Sequence, residues 1–297
     1  MPATSYLPAI LSLTAVGVWG TSDFLGGLGA RRANVFLFTS FVHLAGMIAA
    51  GSLALALQLP MVDVRAMLWS FAAGGLGGIG VALFYRALAI GKMGLIAPVS
   101  AVLAAGITTV ITSLSEGVPS TRHIAGFVLA GIGVWLISRT EEAAPERASI
   151  TSTLATSDEH GDRPRGLGLA VLAGLGFAAF FLCIHRAGNG SALWIAVCSR
   201  MASLFVTLVA VIGSREFRTI ARQTLGIAVG AGILDVTGTV VFVRAEQLGR
   251  LDSAAVLSSL YPAVTVILAR VFLHEHFSRA RTLGMLAAIA AVPLIAG

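Results

Sequence analysis

Four ionisable side chains, Asp23, His43, Arg200 and Asp235, lie inside apolar stretches that offer them no water. Asp235 is the plainest case, since AGILDVTGTV surrounds it and no other ionisable residue occurs between Thr224 and Val243. A charge at the centre of a bilayer costs about 2.5–3.5 kcal/mol on insertion scales, so such residues face the interior of a helix bundle. Two carboxylates, an imidazole and a guanidinium can pair with one another, hydrogen-bond a polar solute, or exchange protons. Helical spacing places each on a polar stripe. Ser12, Trp19 and Asp23 share one face, and so do Thr39 and His43. Arg200, Ser203 and Thr207 form a third stripe, and Asp235, Thr239, Phe242 and Glu246 a fourth.

Two readings of these groups overlap. In one, Asp235 or Asp23 neutralises Arg200 and the pair simply locks helices together. In the other, Asp23, His43, Arg200, Asp235 and Thr239 line a polar cavity that binds substrate, with Asp23 and Asp235 as proton-coupling candidates. A resting ion pair that opens when substrate arrives satisfies both. Trp19, Tyr85 and Tyr261 are candidate aromatic walls of the same site, with packing or a lipid-interface role as the alternative.

The elements that position these residues follow from composition. The chain has 297 residues, 57% hydrophobic and 11% charged, with mean hydropathy +0.90. A soluble domain carries about a quarter charged residues. The expected class is therefore an all-α polytopic membrane protein. The net charge of +6 and pI near 10.3 come from basic residues scattered through short loops. That distribution fits anionic lipid rather than nucleic acid. Cys183 and Cys198 fall inside spans and read as small packing residues. No Cys/His spacing suggests a metal and no Gly-rich nucleotide motif suggests a cofactor, so neither is expected. MPATSYLP has no basic leader, which makes the first apolar run a retained helix.

Apolar runs of about 20 residues give ten spans. They lie near 7–28, 35–58, 66–88, 93–114, 122–138, 166–185, 191–213, 223–245, 252–273 and 280–297. Residues 140–165 form a polar linker between halves 1–139 and 166–297. FYRALAIGK (84–92) returns as FVRAEQLGR (242–250) at an offset of 158, shared by Gly126 and Gly284, while His43 meets Arg200 at 157. Each half holds an odd number of spans, so the second copy is inverted relative to the first. Asp235 falls opposite Gly77 at the same offset of 158, so its carboxylate belongs to one half only. Arg86 and Arg244 recur in both halves and suit capping or snorkelling. Glu116 and Glu275 end the fourth and ninth spans just before Ser120 and Ser278, which can cap the next helices. Those four residues, with Pro98 and Pro262, are expected to be structural or gating.

VWGTSDF (18–24), FYRAL (84–88) and SSLYPAVTVILARVFLHEHFSRARTLG (258–284) resemble the EamA-type carriers of the drug/metabolite transporter superfamily. The resemblance implies ten helices in two inverted five-helix repeats. It places a central cavity among helices one to four and six to nine, with helices five and ten peripheral. The activity implied is movement of small metabolites or amino acids across the bacterial inner membrane. Two departures stand out. Such proteins often carry an arginine in the second helix as well as the seventh, where this chain has His43. Pro262 in the ninth span faces Ala104 in the repeat, while Pro98 lies six residues earlier, so the paired helices are expected to bend differently.

These readings give a multi-pass secondary or facilitative transporter, monomeric or homodimeric. By alternating access it exports an amino acid, organic acid or nucleobase-like metabolite. A lipid-linked headgroup flippase of the same fold is the alternative. A structural scaffold would not need four buried ionisable groups. An intramembrane aspartyl protease is remote, because GTSD and GILD lack the Tyr-Asp and Gly-x-Gly-Asp settings of such enzymes. Thirteen basic residues in odd loops against five in even loops place the termini outside. The resemblance places them in the cytoplasm, and that orientation is the one expected.

Overall fold

A computed structural model describes residues 6–91, 93–138, 166–214, 219–273 and 279–296. Those residues form eleven α-helices. The first five are α1 (Leu7–Ala30), α2 (Val35–Ala56), α3 (Val64–Ile90), α4 (Met93–Glu116) and α5 (Thr121–Ser138). The rest are α6 (Leu167–Ala187), α7 (Ala192–Ser214), α8 (Arg222–Leu248), α9 (Leu251–Ser258), α10 (Tyr261–Leu273) and α11 (Arg279–Ala296). Helices are forced on this composition, because lipid cannot satisfy an open backbone. Their starts are set by polar caps. Asn34 Oδ1 accepts from the Phe36 and Leu37 N–H groups at 3.0 and 3.1 Å, and Asp63 Oδ1 accepts from Ala66 N–H at 2.7 Å.

Eight stretches are long and apolar enough to cross a membrane, and Thr121–Leu136 and Thr282–Ile295 are shorter apolar helices. The polarity pattern is that of a lipid-embedded bundle. Leu114, Phe205 and Ile212 are exposed, whereas Ser12, Thr39, His43, Arg200, Thr207 and Asp235 are buried.

The span expected at 252–273 is one apolar stretch, Leu251–Phe272, but it is not one continuous helix. It breaks at Ser259–Leu260 into α9 and α10. Pro262, at the second position of α10, has no N–H to continue the ladder. The turn closes instead through Ser259 N–H to Ala255 O at 2.9 Å and Leu260 N–H to Leu257 O at 3.2 Å. Pro98 sits inside α4, which runs on through it.

The packing is reciprocal between the halves. α3 lies on α6 as α1 lies on α8, and α3 on α7 as α2 on α8. α4 lies on α6 as α1 lies on α9 and α10, while α2 pairs with α7 and α5 with α11. This exchange reaches individual residues. Any side chain at Gly74 would strike the backbone of Ser199, and any at Gly232 the backbone of Val42. Gly74 and Gly232 are 158 apart, and Val42 and Ser199 are 157 apart, so these are the same contact made twice. Where the first half has Gly78 against Ser203, the second has Val236 against Gly46, with the small residue on the opposite partner. Small residues admit this approach where water gives no hydrophobic drive between helices.

The two ends of the bundle are tied by hydrogen bonds. At one end, Trp194 Nε1 donates to Leu59 O at 2.9 Å, Arg250 Nη2 to Gly117 O at 3.1 Å, and Arg122 Nη2 to Pro293 O at 3.0 Å. At the other, Arg31 Nη2 approaches Leu88 O at 3.5 Å.

Gly232→Ala is expected to lower thermal stability by about 1–3 kcal/mol, because backbone rather than a flexible side chain blocks the new methyl. Gly75→Ala, which meets nothing within 4 Å, is the control and leaves stability unchanged or slightly raised. Unfolding of both variants in detergent, followed by circular dichroism, checks the contrast.

Candidate functional site

A pocket opens where the two halves meet. Its polar lining comes from Asp23 on α1, Arg200 on α7, Asp235 and Thr239 on α8, and Ser259 and Tyr261 at the α9–α10 break. The remaining walls are apolar: Trp19, Gly77, Val81, Ala101, Ala104, Phe177, Phe180 and Phe181. The helix break therefore lies at the cavity, a place where irregular backbone in a membrane is tolerated.

Arg200 organises the polar side. Its Nη1 lies 3.2 Å from Asp235 Oδ2, and both side chains are nearly sequestered. The contact is an ion pair rather than an aligned hydrogen bond, because Oδ2 and the Arg200 Nε remain without hydrogen-bond partners. Nη2 donates to Thr239 Oγ1. Thr239 Oγ1 in turn donates to the Asp235 carbonyl at 3.0 Å, and Trp19 Nε1 donates to the same carbonyl at 3.1 Å. Trp19 is thus pinned across α1 and α8, and Gly238 leaves room for its ring, since a Cβ there would stand 2.5 Å from the indole. Asp23 differs from Asp235. It lines the pocket, is partly exposed there, and makes no hydrogen bond or ion pair among the described residues.

Six of the eight expected binding residues come together here: Trp19, Asp23, Arg200, Asp235, Thr239 and Tyr261. His43 and Tyr85 do not line the pocket. His43 is fully buried in α2 with both ring nitrogens unpartnered. Tyr85 packs between Phe38 and Phe84, and its ring fills the space left by Gly26. Ser203 and Thr207 are spent on helix packing: Ser203 Oγ donates to Gly74 O at 2.7 Å and Ser40 Oγ to Thr207 Oγ1 at 3.0 Å.

Arg86 and Arg244 are exposed near helix ends, where Arg244 Nη1 donates to Gln247 Oε1 at 3.0 Å. The side chain of Glu116, and Glu275 and Ser278 entirely, lie outside the described residues. His123 N–H approaches Ser120 Oγ at 3.4 Å, at the start of α5. Cys183 and Cys198 are free and buried.

Three phenylalanines of the pocket were not singled out by sequence reasoning, although the repeat contains the signal. Phe177 falls 158 residues after Trp19, and Phe181 falls 158 after Asp23. The equivalence is physical, because Phe177 meets Phe84 with ring centroids 5.5 Å apart and Trp19 meets Phe242, the mate of Phe84, at 5.5 Å. Phe181 then closes on Phe242 at 4.7 Å. Beyond this cluster His185 Nδ1 lies 3.0 Å from Glu246 Oε2, and Gln247 Nε2 donates to the Gly188 and Gly190 carbonyls at 3.0 Å each. These contacts hold the ends of α6 and α8 together beside the aromatic cluster. No group of three or more potential metal ligands occurs among the described residues.

Residues 164–297 match the EamA-like transporter family. A solved crystal structure with 16% sequence identity aligns with this chain at a TM-score of 0.71, covering 97% of this chain and 95% of its own. That likeness is one of fold. No functionally curated protein matches the chain by sequence.

Arg200→Met leaves the Asp235 carboxylate without its buried counter-charge and is expected to destabilise the protein by about 3–5 kcal/mol. Arg200→Met combined with Asp235→Leu removes both charges and should recover most of that loss. A thermal-unfolding cycle over the two single variants and the double variant measures the coupling.

Proposed function

We propose that this chain, whose residues 164–297 belong to the EamA-like transporter family, is a secondary carrier that exports a small metabolite by alternating access. The proposal takes residues 1–139 and 166–297 as two inverted five-span repeats joined by the 140–165 linker. It sets them in a bacterial inner membrane with both termini in the cytoplasm. The reciprocal packing of α3 on α6 and α1 on α8 supports that arrangement, since an inverted duplication requires it.

The observation that carries the reading is a pocket shared by both halves whose charged groups belong to one half each. Arg200 has His43 as its mate, Asp235 has Gly77, and Asp23 has Phe181. A duplicated framework repeats its structural residues, as Gly74 and Gly232 do. A site that holds one asymmetric solute needs residues that are not repeated. Binding energy then comes from Asp23, Arg200, Asp235, Thr239 and the rings of Trp19 and Tyr261, without covalent chemistry. The helices α1, α3, α6 and α8 meet through aromatic rings and glycines, and rocking one half on the other exposes the pocket to each side in turn.

Asp235 and Asp23 are the candidates for proton coupling. Asp235 ends its pairing with Arg200 when it takes a proton, and this loosens the tie between α7 and α8. Asp235→Asn is therefore expected to slow exchange in proteoliposomes and to flatten its dependence on pH. An exchange rate and pH profile like those of the parent protein would rule Asp235 out as the coupling site. For orientation, Ser152→Cys in intact cells is expected to react with a membrane-impermeant maleimide, since the linker then faces the periplasm. Protection from the reagent would reverse the assigned topology.

A further inference from the structure

We infer that the solute carries a single positive charge on an apolar, aromatic-sized body, and that Asp23 receives its ammonium group. The inference rests on the carrier reading above and narrows its substrate class.

Charge bookkeeping in the pocket leads there. Three ionisable acid or base side chains line it, Asp23, Arg200 and Asp235. The guanidinium is committed, with Nη1 against Asp235 Oδ2 at 3.2 Å and Nη2 on Thr239 Oγ1. Asp23 is left over, half-buried in the cavity and without a hydrogen bond or ion pair among the described residues. A carboxylate in a lipid-embedded cavity is stable only when its charge is answered. With Asp23 ionised, the groups in place supply two negative charges and one positive, and the excess is answered either by a proton on Asp23 or by a monocation.

The walls agree with that sign. Trp19, Phe177, Phe180, Phe181 and Tyr261 surround the same space. Aromatic faces attract a desolvated cation and repel an anion. An organic anion would have to pull Arg200 from Asp235, leaving two unanswered carboxylates in one pocket. The carboxylate of a zwitterionic amino acid would do the same. A neutral solute would gain nothing from the Asp23 charge. A cation takes the place of the proton on Asp23 and completes the arrangement without breaking a contact already made.

The test uses the full-length protein in detergent at fixed neutral pH, with four probes of one shape: phenethylammonium, 2-phenylethanol, phenylacetate and L-phenylalanine. Calorimetry is expected to detect binding of phenethylammonium and much weaker binding of the other three. Asp23→Asn should weaken phenethylammonium by about tenfold or more, the range for losing a charge-assisted bond. Asp23→Glu, which keeps the charge, should restore most of it, provided both variants unfold at the parent temperature. The inference is overturned if phenylacetate or L-phenylalanine binds as tightly as phenethylammonium, if Asp23→Asn binds the cation undiminished, or if no probe binds. Counterflow in proteoliposomes separates this from the carrier reading. Asp23-dependent binding of the cation without flux would refute the carrier and leave the site, whereas preferred flux of phenylacetate would refute the site and leave the carrier.

Discussion

Arg200 is a permanent cation held inside a lipid-embedded bundle, and its neutralisation constrains everything placed around it. The guanidinium cannot lose its proton, and with its side chain only 4% exposed it needs a partner inside the bundle. Asp235 answers the charge and Thr239 takes a second nitrogen. Thr239 and Trp19 then converge on the Asp235 carbonyl, so one charge pair fixes the relative positions of α1, α7 and α8. The same pairing leaves Asp23, which also lines the pocket, without an ion pair among the described residues.

That pairing requires helices to approach closely, and glycine makes this possible. In a soluble protein, expelled water would drive large side chains together. In lipid the gain comes from backbone contact. Gly74 on Ser199 and Gly232 on Val42 are the repeated form of that contact. Gly78 with Ser203 and Val236 with Gly46 show how the second half departs from the first without losing the fit, since only the total space between the helices is conserved. The departures at the pocket are of another kind, because Asp235, Arg200 and Asp23 stand where the other half has Gly77, His43 and Phe181.

Much of this was legible in the chain. Long apolar runs fix helices because the backbone has no other partner in lipid. The offset of 158 links FYRALAIGK to FVRAEQLGR, and it also relates the Phe177–Phe84 pair to the Trp19–Phe242 pair. Intramembrane Asp23, Arg200 and Asp235 announced a polar interior through their cost alone. Less legible was the direction of each stripe. His43 is spaced like Arg200 and occupies its repeat position, yet it is buried away from the pocket, and Tyr85 spends its ring on the space beside Gly26. Periodicity says that a face points inward. It does not say whether the interior at that point is cavity or neighbouring helix.

The sequence by itself determined the class, the helices, the offset of 158 that relates the halves, and the short set of charged residues that a membrane interior makes expensive. Tertiary structure decided which of them answer one another. Arg200 had two carboxylates within the chain that could pair with it, 177 and 35 residues away, and nothing in their spacing along the chain prefers one. The bundle places α7 and α8 so that Asp235 takes the guanidinium and Asp23 faces open space. It also turned the run 252–273 into two helices, because Pro262 removes a donor just where the cavity needs an interruption. Pairing across helices depends on packing distances set by glycines far from the charges, and those distances exist only once the whole bundle has closed.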